Sequence, residues 1–215
     1  MTRAPLPRGR FITLEGGEGA GKSTQVRRLV AALAQRGVSA VATREPGGSP
    51  RAEDIRAVLL AGSAERLAPL AETLLFAAAR ADHLEKTIRP ALARSQWVIC
   101  DRFADSTRAY QGALGGVDAA TVTTLERIAV GDTNPDLTLI LDLPADIGLA
   151  RAAHRRGGGE VDRFEQESLA FHQKLREAFL AIAAAEPERC VVIDASGDEG
   201  QVAAGVMTAI EPLLR

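Results

Sequence analysis

The chain has 215 residues and a formal net charge of −2, with 25% charged and 46% hydrophobic side chains. That is the composition of an ordinary globular protein, and the length suits one α/β domain over 1–215. A charge this near neutral excludes a basic nucleic-acid surface, and no apolar run reaches the ~18 residues of a membrane span.

Residues 1–9 have no apolar signal core and read as a flexible lead-in. Phe11–Leu14 is a short buried strand, and 23–35 carries apolar residues at helical spacing until Gly37 stops it. A second strand over 38–43 leads into Arg44-Glu-Pro-Gly-Gly-Ser-Pro50, a loop by its Pro and Gly content. A helix follows over about 52–60, then a long one from Pro69 to about Arg89, ending near Pro90. Trp97–Cys100 is a third strand ending in Asp101. Helices follow over about 106–113 and 119–130. Leu137–Leu141 is a fourth strand, a helix covers about 146–154, and a Gly-rich loop, 155–164, reads as a mobile lid. A long helix over about 166–185, a strand at Cys190–Ile193 and a helix over about 199–214 complete the chain. Strands that are continuously apolar and alternate with helices predict a five-stranded parallel sheet with helices on both faces, a three-layer α/β fold. Cys100 and Cys190 have no zinc or C-x-x-C spacing and read as reduced, buried strand residues, as in a cytoplasmic protein. His83, His154 and His172 show no metal spacing.

The sharpest motif is Gly16-Gly17-Glu18-Gly19-Ala20-Gly21-Lys22-Ser23, which fits G-x-x-x-x-G-K-[ST] between a predicted strand and a predicted helix that continues with Thr24. This is a P-loop, the mark of the P-loop NTPase fold. Its backbone N–H groups and the helix N-terminus cradle phosphates. Lys22 reaches the β- and γ-phosphates of ATP, and the Ser23 hydroxyl is a ligand for Mg²⁺. Asp101, at the carboxyl end of a neighbouring strand, is the candidate second metal site, with Asp142 as its rival. A GTPase would need N-K-x-D, and none of the three lysines (Lys22, Lys86, Lys174) lies in one.

Thr43-Arg-Glu-Pro-Gly-Gly48, Asp101-Arg102-Phe103 and Ser106-Thr-Arg-Ala-Tyr-Gln111 resemble thymidylate kinase, and the resemblance runs through most of the chain in order. It implies transfer of the ATP γ-phosphoryl group to dTMP with Mg²⁺, for dTTP synthesis, by a homodimer to which the helix over 67–92 contributes. Residue by residue, it implies that Arg44 and Arg102 grip the dTMP phosphate, a task suited to the guanidinium fork. Phe76 stacks on thymine and Arg80, four residues on, donates to its carbonyl edge. Thr107 faces the base N3, with Ser106 and Gln111 in the same site. Tyr110 crowds a ribose 2′-OH, Glu18 meets the sugar 3′-OH, and Arg151 packs on adenine.

Some members of the family carry a basic residue directly after the acidic P-loop position. Here that position is Gly19. The chain resembles instead the bacterial type, whose lid supplies the arginine, with Arg155, Arg156 and Arg163 as candidates. Other readings of the motifs are a small P-loop kinase for a different nucleotide or nucleoside, and a non-catalytic nucleotide-binding regulator.

Overall fold

A computed structural model of the chain describes residues 9–60, 67–156 (of Arg156 the backbone alone) and 164–214. The lead-in up to residue 8, most of the predicted lid, Arg163 and the Arg156 side chain thus lie outside the described residues.

Five strands form the sheet: β1 (Phe11–Glu15), β2 (Ala40–Arg44), β3 (Trp97–Asp101), β4 (Leu137–Asp142) and β5 (Cys190–Asp194). Their order is β2-β3-β1-β4-β5 and every pairing is parallel. The apolar content follows this order. β1, β3 and β4 are buried along almost their whole length, whereas β2 and β5, at the edges, are only partly covered. Alternate residues of the central strands face opposite layers. Ile12, Leu14, Ile99 and Leu139 pack with α1 (Lys22–Gln35) and α9 (Glu199–Ile210). Phe11, Val98 and Cys100 point the other way, into a cluster with Leu84, Ile88 and Phe103. Both cysteines are free and buried.

Four helices differ in extent from the sequence reading; the last, read to 214, ends as an α-helix at Ile210 and closes with a 3-10 turn over Glu211–Leu214. The long helix does not stop before Pro90. It runs as α3 (Pro69–His83), a wide π turn (Leu84–Ile88) and α4 (Arg89–Ala93). Pro90 is accommodated because it falls in the first turn of α4, where its missing N–H is not needed. The helix predicted over 106–113 is α5 (Ala104–Thr107) followed by a second wide turn, Arg108–Leu114. The helix predicted from residue 166 begins later, as α8 (Leu169–Ala185), where the Ser168 hydroxyl caps it by accepting from Phe171 N.

Of the remaining helices, α2 spans Pro50–Leu60, α6 Ala119–Val130 and α7 Ala145–Arg156. The carboxyl ends of β1, β3 and β4 meet at one edge, with the glycine-rich loop after β1 between its two neighbours. That is the switch point where a parallel sheet opens a crevice. No described helix is long and apolar enough to cross a membrane.

Candidate active site

A cleft of about 290 Å³ lies at this edge, lined by the P-loop, β2 and β3 ends, α3, the Arg108–Leu114 turn and Arg155. The P-loop has the shape its motif requires. Lys22 Nζ folds over the loop and donates to the carbonyls of Gly16 (3.0 Å) and Gly17 (2.7 Å). Gly19 has φ +68°, and a Cβ there would come within 1.9 Å of the Gly148 carbonyl oxygen on α7. Backbone therefore meets backbone at this point, and no side chain fits. That is the physical reason this loop carries no arginine after Glu18.

Ser23 Oγ donates to Asp101 Oδ2 at 2.6 Å, so the two proposed metal-facing oxygens are adjacent. Asp142, the rival, is instead held by Arg176 through two bonds of 2.6 and 2.9 Å. Hard oxygen donors of this kind suit Mg²⁺. Among the described residues no three His, Cys, Asp or Glu converge. An ion here would therefore draw its other ligands from phosphate and water.

Arg102 follows β3 with φ +68°, a left-handed conformation that is rare for a side chain of this size. It donates to Gly16 O and Ser106 Oγ, pairs with the Glu18 carboxylate, and lies over the Tyr110 ring at 5.2 Å. Glu18 also accepts from Tyr110 Oη at 3.0 Å. Burial works to raise the Glu18 carboxyl, but Arg102 and Lys22 outweigh it and bring its pKa to about 2. Burial, reinforced by the Arg102 charge, lowers Lys22 to about 8 against the pull of Glu18 and Asp101.

Glu15 underlies this arrangement and was not a candidate in the sequence. It ends β1, is fully buried, and accepts from Phe103 N (2.7 Å), Ser106 N (3.2 Å) and Ser106 Oγ (2.7 Å). It thereby clamps the turn that holds Arg102 in its left-handed conformation. Burial and the nearby Asp105 raise its pKa to about 7, opposed by Arg102 and its hydrogen-bond donors.

The far end of the cleft is more enclosed. Phe76 is half-buried on α3 and lines it, one helical turn before Arg80. Arg80 is buried, donating through Nε to Glu45 Oε2 (2.7 Å) and through Nη2 to Phe103 O and Thr107 Oγ1 (3.0 Å each). Glu45 also bonds His83 Nδ1 at 3.0 Å, and His83 Nε2 meets Thr43 Oγ1 at 2.6 Å. Gln111 donates from its amide to Glu72 Oε1 at 2.8 Å. Glu45, Glu72 and His83 are functional neighbours that sequence reasoning missed. Glu45 lies inside the Thr43–Gly48 motif and Glu72 stands at four-residue spacing before Phe76 and Arg80, whereas His83 left no signal.

Arg44 is half exposed and pairs with Glu53 at 3.1 Å, on the cleft wall. Arg155 lines the cleft, 65% exposed and 4.0 Å from Glu165. Arg151 is not among the cleft-lining residues. Its guanidinium donates to the carbonyls of Ala195, Ser196 and Gly197 in the loop after β5.

The family model described as thymidylate kinase matches residues 14–206. The thymidylate kinase of Nitrobacter hamburgensis is 60% identical over 205 residues, covering 95% of this chain and 89% of the relative. That of Bradyrhizobium diazoefficiens is 58% identical over 207 residues, covering 96% and 91%. The crystal structure of the Ehrlichia chaffeensis thymidylate kinase superposes with a TM-score of 0.77 at 34% identity, covering 95% of this chain and all of that one.

Proposed function

The chain belongs to the thymidylate kinase family, and on that premise we propose which of its residues carry each part of the reaction. The reaction is that of an ATP-dependent nucleoside monophosphate kinase: dTMP takes the γ-phosphoryl group of ATP and becomes dTDP. An oxygen of the dTMP phosphate attacks the γ-phosphorus in line, the bond to the β-bridging oxygen breaks, and ADP leaves. The attacking oxygen is already anionic, so no general base is needed. Catalysis is positioning and neutralisation of charge.

The observation that carries the assignment is the cluster of Lys22, Arg102 and Glu18 beside the P-loop, with cations tethered to partners that a phosphate can replace. Residues 16–24 cradle the ATP phosphates, with Lys22 moving from the loop carbonyls to the β/γ oxygens. Arg102 and Arg44 take the dTMP phosphate. Phe76 stacks on thymine, Arg80 donates to O4, and Thr107 and Gln111 meet the N3 edge. Tyr110 closes the site where a 2′-OH would stand, and Glu18 turns to the 3′-OH. Ser106, held on Glu15, supports Arg102. Ser23 and Asp101 are the residues that would hold Mg²⁺, which when bound spreads charge off the phosphates. Arg151 flanks the adenine. With Gly19 closed to any side chain, Arg155, Arg156 and Arg163 are the source of the cation for the transferred group.

The exposed Val58, Leu70, Leu74 and Ile128 lie on α2, α3 and α6, helices that pack together, and support a homodimer through this face. Free buried cysteines and the nucleotide substrates support a cytoplasmic enzyme.

A coupled assay with ATP–Mg²⁺ across dTMP, dUMP, dCMP, AMP and UMP tests the reading. Turnover of dTMP well above the others is expected. Failure with dTMP alongside turnover of another acceptor would overturn it.

A further inference from the structure

The polar groups at the base end of the cleft are not equally committed. Arg80 has donors alone. The Thr107 hydroxyl accepts from Arg80 but can still rotate its own proton. Gln111 carries a donor and an acceptor of nearly the same shape, which exchange by a half-turn of the amide. What Gln111 offers a base is therefore set by the group that holds its other end.

That group is Glu72. Gln111 Nε2 donates to Glu72 Oε1 at 2.8 Å, with the two residues only 4% and 9% exposed. A carboxylate accepts and does not donate. Reversing the amide would set oxygen against oxygen in a place poor in water, losing the bond and adding repulsion. The carboxylate, which only accepts, itself selects the amide nitrogen. Glu72 does not line the cleft, and it stands two turns before Arg80 on the face of α3 that carries Phe76.

We infer that Glu72 is a positioning residue that fixes the hydrogen-bond polarity of the base site and so determines which pyrimidine is admitted. By taking the NH₂ of Gln111 it leaves the carbonyl oxygen for the cleft. The site then presents a donor, Arg80, and an acceptor, Gln111. A base with an acceptor at C4 and a donor at N3 matches both, which describes thymine and uracil. Cytosine offers an amino donor at C4 and an acceptor at N3, and conflicts with both. The second conflict depends on Glu72. The inference rests on the dTMP reading and adds to it the group that enforces base choice.

The test is Glu72→Gln, with KM for dTMP and Ki for dCMP as a competitor measured on the same sample. The substitution keeps the shape and keeps a hydrogen bond to Gln111, but two facing amides can reverse together. Neither KM nor Ki depends on the active fraction, so partial misfolding does not disturb the readout. Ki for dCMP is expected to fall about tenfold, the worth of one restored hydrogen bond, while KM for dTMP changes no more than about twofold to threefold. Glu72→Ala, which frees the amide altogether, is expected to move Ki in the same direction. A gain of binding is not what a merely structural role would give. Inhibition by dCMP that is no tighter in Glu72→Gln than in the wild type, or undetectable in both, overturns the inference and leaves Glu72 as the partner of a buried amide. Failure of the wild type to phosphorylate dTMP would instead strike the underlying reading, and it is visible before any variant is made.

Discussion

Arg80 and Arg102 serve one cleft but are held in different ways. Arg80 is matched inside the protein by Glu45, which His83 also supports, and all three are buried. Arg102 leans on Glu18, Arg44 on Glu53, and Lys22 on two backbone carbonyls, each at a cleft wall. On the proposed assignment, the difference follows from what each end has to recognise. A flat neutral base is read by donors and acceptors of fixed direction, so those groups are locked before it arrives. A phosphate brings its own charge, and cations resting on replaceable partners are ready to receive it.

The contrast can be broken most forcefully at Lys22. Lys22→Ala should lower kcat by about 10³-fold. Because burial already disfavours this charge, the variant should unfold no more easily than the wild type. Retained turnover in a steady-state assay would remove Lys22 from the mechanism. At the other end, Arg80→Ala should raise KM for dTMP about 100-fold and leave KM for ATP within about twofold. It also strands Glu45, so thermal unfolding should show a loss of about 3 kcal/mol. Equal losses toward both substrates would erase the division between the ends.

Two smaller effects sharpen it. Folded Glu15 holds its proton up to about pH 7, whereas an ordinary Glu releases it near 4.5, so wild-type stability falls as pH rises through that window. Glu15→Gln lacks this loss. Unfolding measured across the window should shift in its favour by about 1–3 kcal/mol, and a constant difference would show that Glu15 is charged throughout. Lys22, at about 8, is mostly neutral at pH 8.5 until phosphate arrives. Calorimetry in buffers of different ionisation enthalpy should find ATP binding taking up about 0.5–1 proton at that pH and about 0.1 at pH 7. Equal uptake at both would place the titrating group elsewhere.

The features legible in the sequence are those whose chemistry is local. The apolar run 11–14 feeding Gly16–Ser23, and the run 97–100 ending in Asp101, announce a strand, a phosphate loop and a carboxylate at one sheet edge. The groups that hold the site together are different. Glu15 meets Ser106 across 91 positions, Arg80 meets Glu45 across 35 and Gln111 meets Glu72 across 39. A carboxylate at a strand end or in a loop reads as solvent-facing, and no periodicity marks it as a buried acceptor. His83 shows no metal spacing in the sequence, and its link between Thr43 and Glu45 is likewise invisible there. Helix extents failed where one residue defeats a rule. Pro90 looked like a terminator, but the wide turn before it lets the chain continue, and the Ser168 cap delays a start that composition places earlier.

The interlock of Gly19 with Gly148 has a consequence for how such enzymes diverge. On the proposed assignment, which puts the catalytic arginine in the lid, an arginine in the phosphate loop cannot be gained by substituting Gly19 alone, because the new side chain would enter the backbone of α7. The helix would have to retreat first, and α7 also leads to the lid arginines it would make redundant. The two arrangements are thus separated by a coordinated change in a helix and a loop. While this backbone contact stands, a cation for the transferred group has to come from outside position 19.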